Sequence, residues 1–146
     1  MSEPIWCNVE IRCPATWSTP ERPLPPIVDL LADALINGTC DADDGGASWL
    51  VQGEGNYGLY DSEVEFVLDW LEAHHVPYVA TSEAKYDMEA NMRIFDGETV
   101  FCPETTTNMI VMSRALYRQI ISGEHPQCAT VDDYFDLASR SVRTFS

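Results

Sequence analysis

The chain has 146 residues, of which 45% are hydrophobic and 10% aromatic, enough to build the core of one domain and too apolar for wholesale disorder. No apolar run reaches the roughly 18 residues that cross a bilayer, and Met1 to Cys13 lacks the basic start and apolar centre of a signal peptide, so a cytoplasmic protein is expected. With 24 Asp and Glu against 8 Lys and Arg the net charge is -16, a field that opposes direct binding to DNA, RNA or an anionic membrane.

The first element is a strand. Ile5 to Arg12 alternates, with Ile5, Cys7, Val9 and Ile11 on one side. Pro14 to Pro25 then reads as a stiff, extended connection. Pro25 and Pro26 suit the first turn of a helix that continues through Ile27, Val28, Leu30, Leu31, Ala34 and Leu35, with Asn37-Gly38 as its end. A loop, Asp41 to Gly46, leads to a short strand, Ala47 to Gln52, and to a glycine-rich turn, Gly53 to Gly58. Ser62 and Glu65 form a capping box, and Val64, Val67, Leu68 and Leu71 recur at helical spacing, which predicts a helix from Ser62 to about His75, stopped by Pro77.

Tyr78 to Thr81 reads as a strand and Ala84 to Ala90 as a polar loop. Met92 to Phe95 and Glu98 to Cys102 flank Asp96-Gly97, a two-residue hairpin signal, and Asn108 to Met112 is a further strand. Two helices close the chain, Arg114 to Ile121 ended by Gly123, and Val131 to about Val142 capped by Thr130. This order predicts a single acidic α+β domain over residues 1–146, with a mixed or antiparallel sheet of about five to six strands and helices packed on one face.

Charge is unevenly placed. Residues 29–104 carry 17 acidic residues and two basic ones, Lys85 and Arg93, while residues 113–146 carry four of each. Within the acidic segment, Asp61, Glu65, Asp69 and Glu72 fall on a stripe about 80° wide along the second helix. Like charges at that spacing cost a few tenths of a kcal/mol per pair, and the sequence places no Lys or Arg at Asp69 or Glu72 to relieve them. One reading is a solvated face that keeps an acidic protein soluble. The sharper reading is a surface that resembles a nucleic-acid backbone and occupies the basic groove of a nucleic-acid-binding protein. Successive carboxylates on the helix stand about 6 Å apart along its axis, against one charge per roughly 1.7 Å of duplex. The match would need Asp41, Asp43 and Asp44, with Asp29, Asp33, Asp87 and Glu89, on the same surface.

Other motifs carry less. Gly53-Glu54-Gly55-Asn56-Tyr57-Gly58 spells the dinucleotide fingerprint, but the helix cap comes four residues after Gly58, and Glu54, Asp61 and Glu63 would repel a pyrophosphate. A turn allowing close backbone approach is preferred. Asp41 to Gly46 starts like a calcium loop and fails at Gly45 and Gln52. Five cysteines, Cys7, Cys13, Cys40, Cys102 and Cys128, are odd in number and irregularly spaced, as in a reduced protein. His125 and Cys128 form the one pair at zinc-ligand spacing, so neither metal nor cofactor is expected. His74 and His75 fall at the end of the second helix, where capping or packing is the plainer role. A Cys–His pair meeting in space, such as Cys102 with His74, is one arrangement that would support an enzyme.

The run Gly53 to Gly58, the acidic helix after it and Val76-Pro77-Tyr78 resemble small acidic proteins of phages and plasmids. The resemblance implies an anti-CRISPR or anti-restriction role, competing with nucleic acid for a host defence complex, with no catalytic residue of its own. The alternatives are an immunity or antitoxin protein that neutralises a basic toxin nuclease, and a small enzyme with a pocket and a perturbed titratable group.

Overall fold

A computed structural model describes residues 5–12, 26–43, 48–55, 58–83, 90–106 and 109–145. The alternation of Ile5–Arg12 becomes the central strand, β1. It pairs antiparallel with β3 (Ser48–Gly55) on one side and β4 (Tyr78–Ser82) on the other. β2 (Ile36–Asp43) extends the sheet beyond β3, and β5 (Asn91–Phe95) and β6 (Val100–Phe101) extend it beyond β4. The result is a six-stranded antiparallel sheet in the order β2-β3-β1-β4-β5-β6.

Because side chains alternate along a strand, the register assigns each residue to a face. Ile5, Cys7, Val9 and Ile11 lie with Trp49, Val51, Tyr78, Ala80 and Phe95 in the main core. Two helices cover this face, α1 (Pro26–Ala34) and α2 (Ser62–Ala73). They contribute Ile27, Val28 and Leu31, and Val64, Val67, Leu68 and Leu71, at i, i+3, i+4 spacing. Each such side chain contributes about 1.5–3 kcal/mol through burial. α1 sits over β2 and β3, and α2 lies beside it.

A second cluster forms on the residues of opposite parity. Val79 and Ile94 alternate with Tyr78 and Phe95, and they pack with Phe101, Ile120, Cys128, Tyr134 and Ala138. This cluster joins a small hairpin, β7 (Glu104–Thr106) with β8 (Met109–Val111), and two helices, α3 (Arg114–Ile121) and α4 (Val131–Phe145). Tyr134 ties it together: its hydroxyl donates to the Val111 carbonyl at 2.6 Å and accepts from the Glu104 N–H at 2.9 Å. Asp133 and Thr130 cap α4 reciprocally, each accepting from the other's backbone N–H. α1 and α2 therefore share one face of the sheet, while α3 and α4 close the other face at its β4-β5-β6 end. Among the described residues no helix is long and apolar enough to cross a membrane.

The structure departs from the sequence reading in several places. The helices, expected on one face of the sheet, cover both, because Val79 and Ile94 present a second apolar surface that α3 and α4 bury. Asn37-Gly38 does not end α1; it forms an irregularity within β2, where Asn37 takes φ 54° and the register shifts between Ile36 and Thr39. Asp41 and Asp43 lie on that strand instead of in a loop. Its composition, Ile-Asn-Gly-Thr-Cys-Asp-Ala-Asp, shows no apolar alternation because an edge strand is paired on one side alone. α2 is capped by Asp61, whose Oδ1 accepts from the Glu63 N–H at 3.0 Å, one residue before the capping box expected at Ser62. The β5–β6 hairpin has a four-residue loop, Asp96 to Thr99, since Phe95 pairs with Val100; the Asp96 carboxylate accepts from the N–H groups of Glu98 and Thr99. The expected connection Pro14 to Pro25 and most of the loop Ala84 to Ala90 lie outside the described residues.

Candidate functional site

The acidic stripe of α2 is present, and its members differ sharply in what holds them. Asp61 is committed to the helix N-terminus. Glu65 is exposed, and the network described below does not reach it. Asp69 and Glu72 are turned toward β5, where Arg93 projects from the core-side parity of the strand beneath them. Arg93 donates through one nitrogen, Nη2, to both carboxylates, at 3.0 Å to Asp69 and closely to Glu72. Glu72 also accepts from the hydroxyl of the fully buried Tyr78 at 2.5 Å.

This network corrects the expectation that the stripe lacks a compensating cation. The cation comes from a strand that is adjacent in space and 21 residues away along the chain from Glu72. Helical spacing shows partners within one helix, whereas β4 and β5 bring Tyr78 and Arg93 up from below. Burial, with the bond to Glu72, pushes the Tyr78 phenol well above its ordinary value, and the network keeps the Arg93 guanidinium charged. The guanidinium Nε is buried without a partner among the described residues, so Nη2 carries the interaction.

The remaining candidate acids do not all join this surface. On α1, Asp29 and Asp33 are exposed, and neither α1 nor α2 contains a Lys or Arg. Asp41 pairs with Leu50, which places it on the sheet face opposite α1 and α2. Asp43 pairs with Ser48 in the same ladder, at the same parity as Asp41. Asp44, Asp87 and Glu89 lie outside the described residues. Of the nominated carboxylates that the structure describes, Asp61, Glu65, Asp69 and Glu72 stand on the helical face and Asp41 on the opposite one, with Asp43 at the same strand parity as Asp41.

The glycine-rich motif is largely strand. β3 runs through Gly55, and Gly53 faces the core under Leu35, where an added Cβ would come within 2.7 Å of the Leu35 Cβ. Glycine here lets α1 and β2 approach the sheet, which is the close-approach role expected for it, although not in a turn. The histidines also act structurally. His74 stacks on Trp70 with ring centres 3.8 Å apart and bonds the Trp70 carbonyl through Nδ1, while His75 Nδ1 meets the Gly97 carbonyl at 3.0 Å and so ties the end of α2 to the hairpin. His125 Nδ1 accepts from the N–H groups of Gln127 and Cys128, closing the turn before α4. Among the described residues no three His, Cys, Asp or Glu are arranged to hold a metal.

Cys7 is fully buried, and burial pushes its thiol up to about 11. Cys40 is also pushed to about 11, first by burial and then by Asp41 and Asp29. Both are poor nucleophiles at neutral pH. A shallow open groove between β7 and α3, lined by residues including Glu104, Ser113, Arg118 and Gln119, holds none of the residues nominated from sequence. Comparison with family models, with curated proteins and with solved structures found no match to the chain.

Proposed function

We propose that this protein inhibits a basic nucleic-acid-binding protein by laying its acidic helical face in the groove that the partner keeps for nucleic acid. The observation that carries the reading is the α1–α2 layer, which exposes Asp29, Asp33, Glu63, Glu65 and Asp69, with Glu72 half-buried against Arg93, and contains no Lys or Arg of its own. The Arg93–Tyr78 network supports it as well, because it holds two of those carboxylates in fixed positions instead of leaving them on free rotors. A preorganised set of charges loses less entropy on binding than a mobile one. Its charges are sparser than those of a duplex, so the reading requires shape and electrostatic fit to one partner and not general mimicry of DNA.

The resemblance read in the sequence from Gly53 to Tyr78 extends the proposal to a mobile-element inhibitor of a host defence complex, acting in the bacterial cytoplasm. Capture from bacterial lysate on the immobilised protein tests it. The proteins retained at low salt should be nucleic-acid-binding, should elute with duplex DNA or guide-like RNA, and should be lost as salt rises. Retention that is indifferent to nucleic-acid competitors refutes the proposal. A single small nuclease retained stoichiometrically would favour the immunity reading instead.

A further inference from the structure

Among the described residues eight large apolar side chains are exposed, and four of them stand in two groups of opposite surroundings. Leu30 and Phe66 stand among carboxylates on α1 and α2, with Phe66 59% exposed. Tyr117 and Ile121 stand on α3, 46% and 61% exposed, beside Arg114 and Arg118. α3 buries little: Ile120 is buried and Leu116 half-buried, and its other six residues are exposed. At 100° per residue, Tyr117 and Ile121 form one ridge along the outer side of α3 and Arg114 and Arg118 form the next. Among the described residues neither arginine has an ion-pair partner.

We infer that the protein stacks on a second copy of itself, the outer face of α3 in one protomer seating on the outer face of α2 in the next. The two faces are complementary in pattern. On α2 the exposed acids Glu65 and Asp69 are four residues apart, with Phe66 on the crest beside them. On α3 the arginines are also four residues apart, with Tyr117 and Ile121 beside them. Both charge pairs therefore repeat at about 6 Å along their axes, and helices laid side by side bring acid to arginine and Phe66 to Tyr117 or Ile121. α2 and α3 cover opposite faces of the sheet, so one chain cannot make the contact with itself. The contact is head to tail and leaves a free α3 and a free α2 at the ends, so it propagates instead of closing on a dimer. Two short helices bury less than a standard interface of about 1,600 Å², and association is correspondingly weak.

Net charge supplies the discriminating sign. A chain at -16 repels its copies, and relieving that charge anywhere strengthens association if repulsion alone is at work. Glu65→Arg removes one negative charge and adds a positive one, a change of two units toward neutrality, yet the stacked arrangement requires it to weaken association by about tenfold, because an arginine then faces Arg114 or Arg118. Arg118→Glu should weaken it similarly. The double variant Glu65→Arg/Arg118→Glu has the wild-type net charge and should recover the wild-type association. Phe66→Ser, which changes no charge, should weaken it as well.

Sedimentation velocity from about 10 μM to about 1 mM protein, the range of weak contacts, reads all four variants, with far-ultraviolet circular dichroism confirming that each is folded. Reversible association of the wild type, loss in the single variants and recovery in the double swap support the inference. A wild type that stays monomeric overturns it and leaves the α3 face to a different, acidic partner. So does a Glu65→Arg chain that associates as well as or better than wild type, or a double swap that fails to recover. Stacking and capture of a basic partner share the outer face of α2, so capture is assayed at low protein concentration, where the chain is monomeric; failure of capture there leaves the stacking outcomes standing, and a monomeric wild type leaves capture standing.

Discussion

Replacing Glu72 by Ala separates a structural carboxylate from a merely solvated one. The Glu72 and Arg93 side chains are 22% and 20% exposed, so their pair lies between a surface ion pair, worth about 0–1 kcal/mol, and a fully buried one, whose breakage costs about 3–5 kcal/mol. Truncation leaves the Tyr78 hydroxyl without its acceptor inside the core, a loss of about 1–3 kcal/mol. It leaves Arg93 with Asp69 as its carboxylate partner in this network, and the Asp69 side chain is 63% exposed. The two effects together should cost about 2–4 kcal/mol, or roughly 6–15 °C in melting temperature for a domain of this size. Differential scanning calorimetry measures the shift, and a double-mutant cycle with Tyr78→Phe should give a coupling of about 1 kcal/mol or more. A Glu72→Ala protein that melts within about 2 °C of wild type, or a cycle that is additive, would refute the network as a stabilising element. The same argument makes a Lys at position 72 worse than Ala, because an ammonium then faces the Arg93 guanidinium. Helical spacing by itself predicts the opposite sign, since a Lys among the carboxylates of the stripe relieves like-charge pairs.

Glu65→Lys, at the exposed member of the stripe, should stay within about 0.5 kcal/mol of wild type in a urea melt, while capture of the basic partner falls and its salt dependence flattens. Gly38→Ala should destabilise by about 3 kcal/mol, since an added Cβ would lie 2.0 Å from the Ala32 carbonyl oxygen; an unchanged urea midpoint would contradict the close approach of α1 and β2. Tyr134→Phe deletes the hydroxyl that joins Val111 to Glu104. It should cost about 1–3 kcal/mol, with the loss of hydrogen-exchange protection concentrated in the β7–β8 hairpin and α4. Stability should also fall in alkali. The Cys7 thiol ionises at about 9 when unfolded and is pushed to about 11 in the fold, so its contribution is complete below about pH 9 and is lost as pH rises through about 11. The buried Tyr78 phenol, also raised, acts in the same direction. A urea midpoint that stays constant from pH 7 to 11 would contradict both.

Much of the local architecture was legible in the chain itself. The alternation of Ile5–Arg12, the helical spacing of Val64, Val67, Leu68 and Leu71, and the stop at Gly123 each became the element expected, because periodicity and capping act over a few residues. The same local chemistry placed Thr130 at the head of α4. β2 was not legible: an edge strand with polar residues and an irregularity at Asn37-Gly38 has no periodic signature, and its pairing with β3 is what makes it a strand.

The candidate surface shows the same division. Sequence spacing alone put Asp61, Glu65, Asp69 and Glu72 on one stripe of α2, since helix geometry determines which residues share a face. Whether those carboxylates were free was a question about neighbours far along the chain. The antiparallel pairing of β4 with β5 sets Arg93 beside Ala80, on the side that α2 covers, and so delivers its guanidinium to Asp69 and Glu72. The pairing of β2 with β3 turns Asp41 to the opposite face. Strand register decides both outcomes, because a shift of one residue would reverse the face of every side chain, and register is settled only when the whole sheet closes over its core.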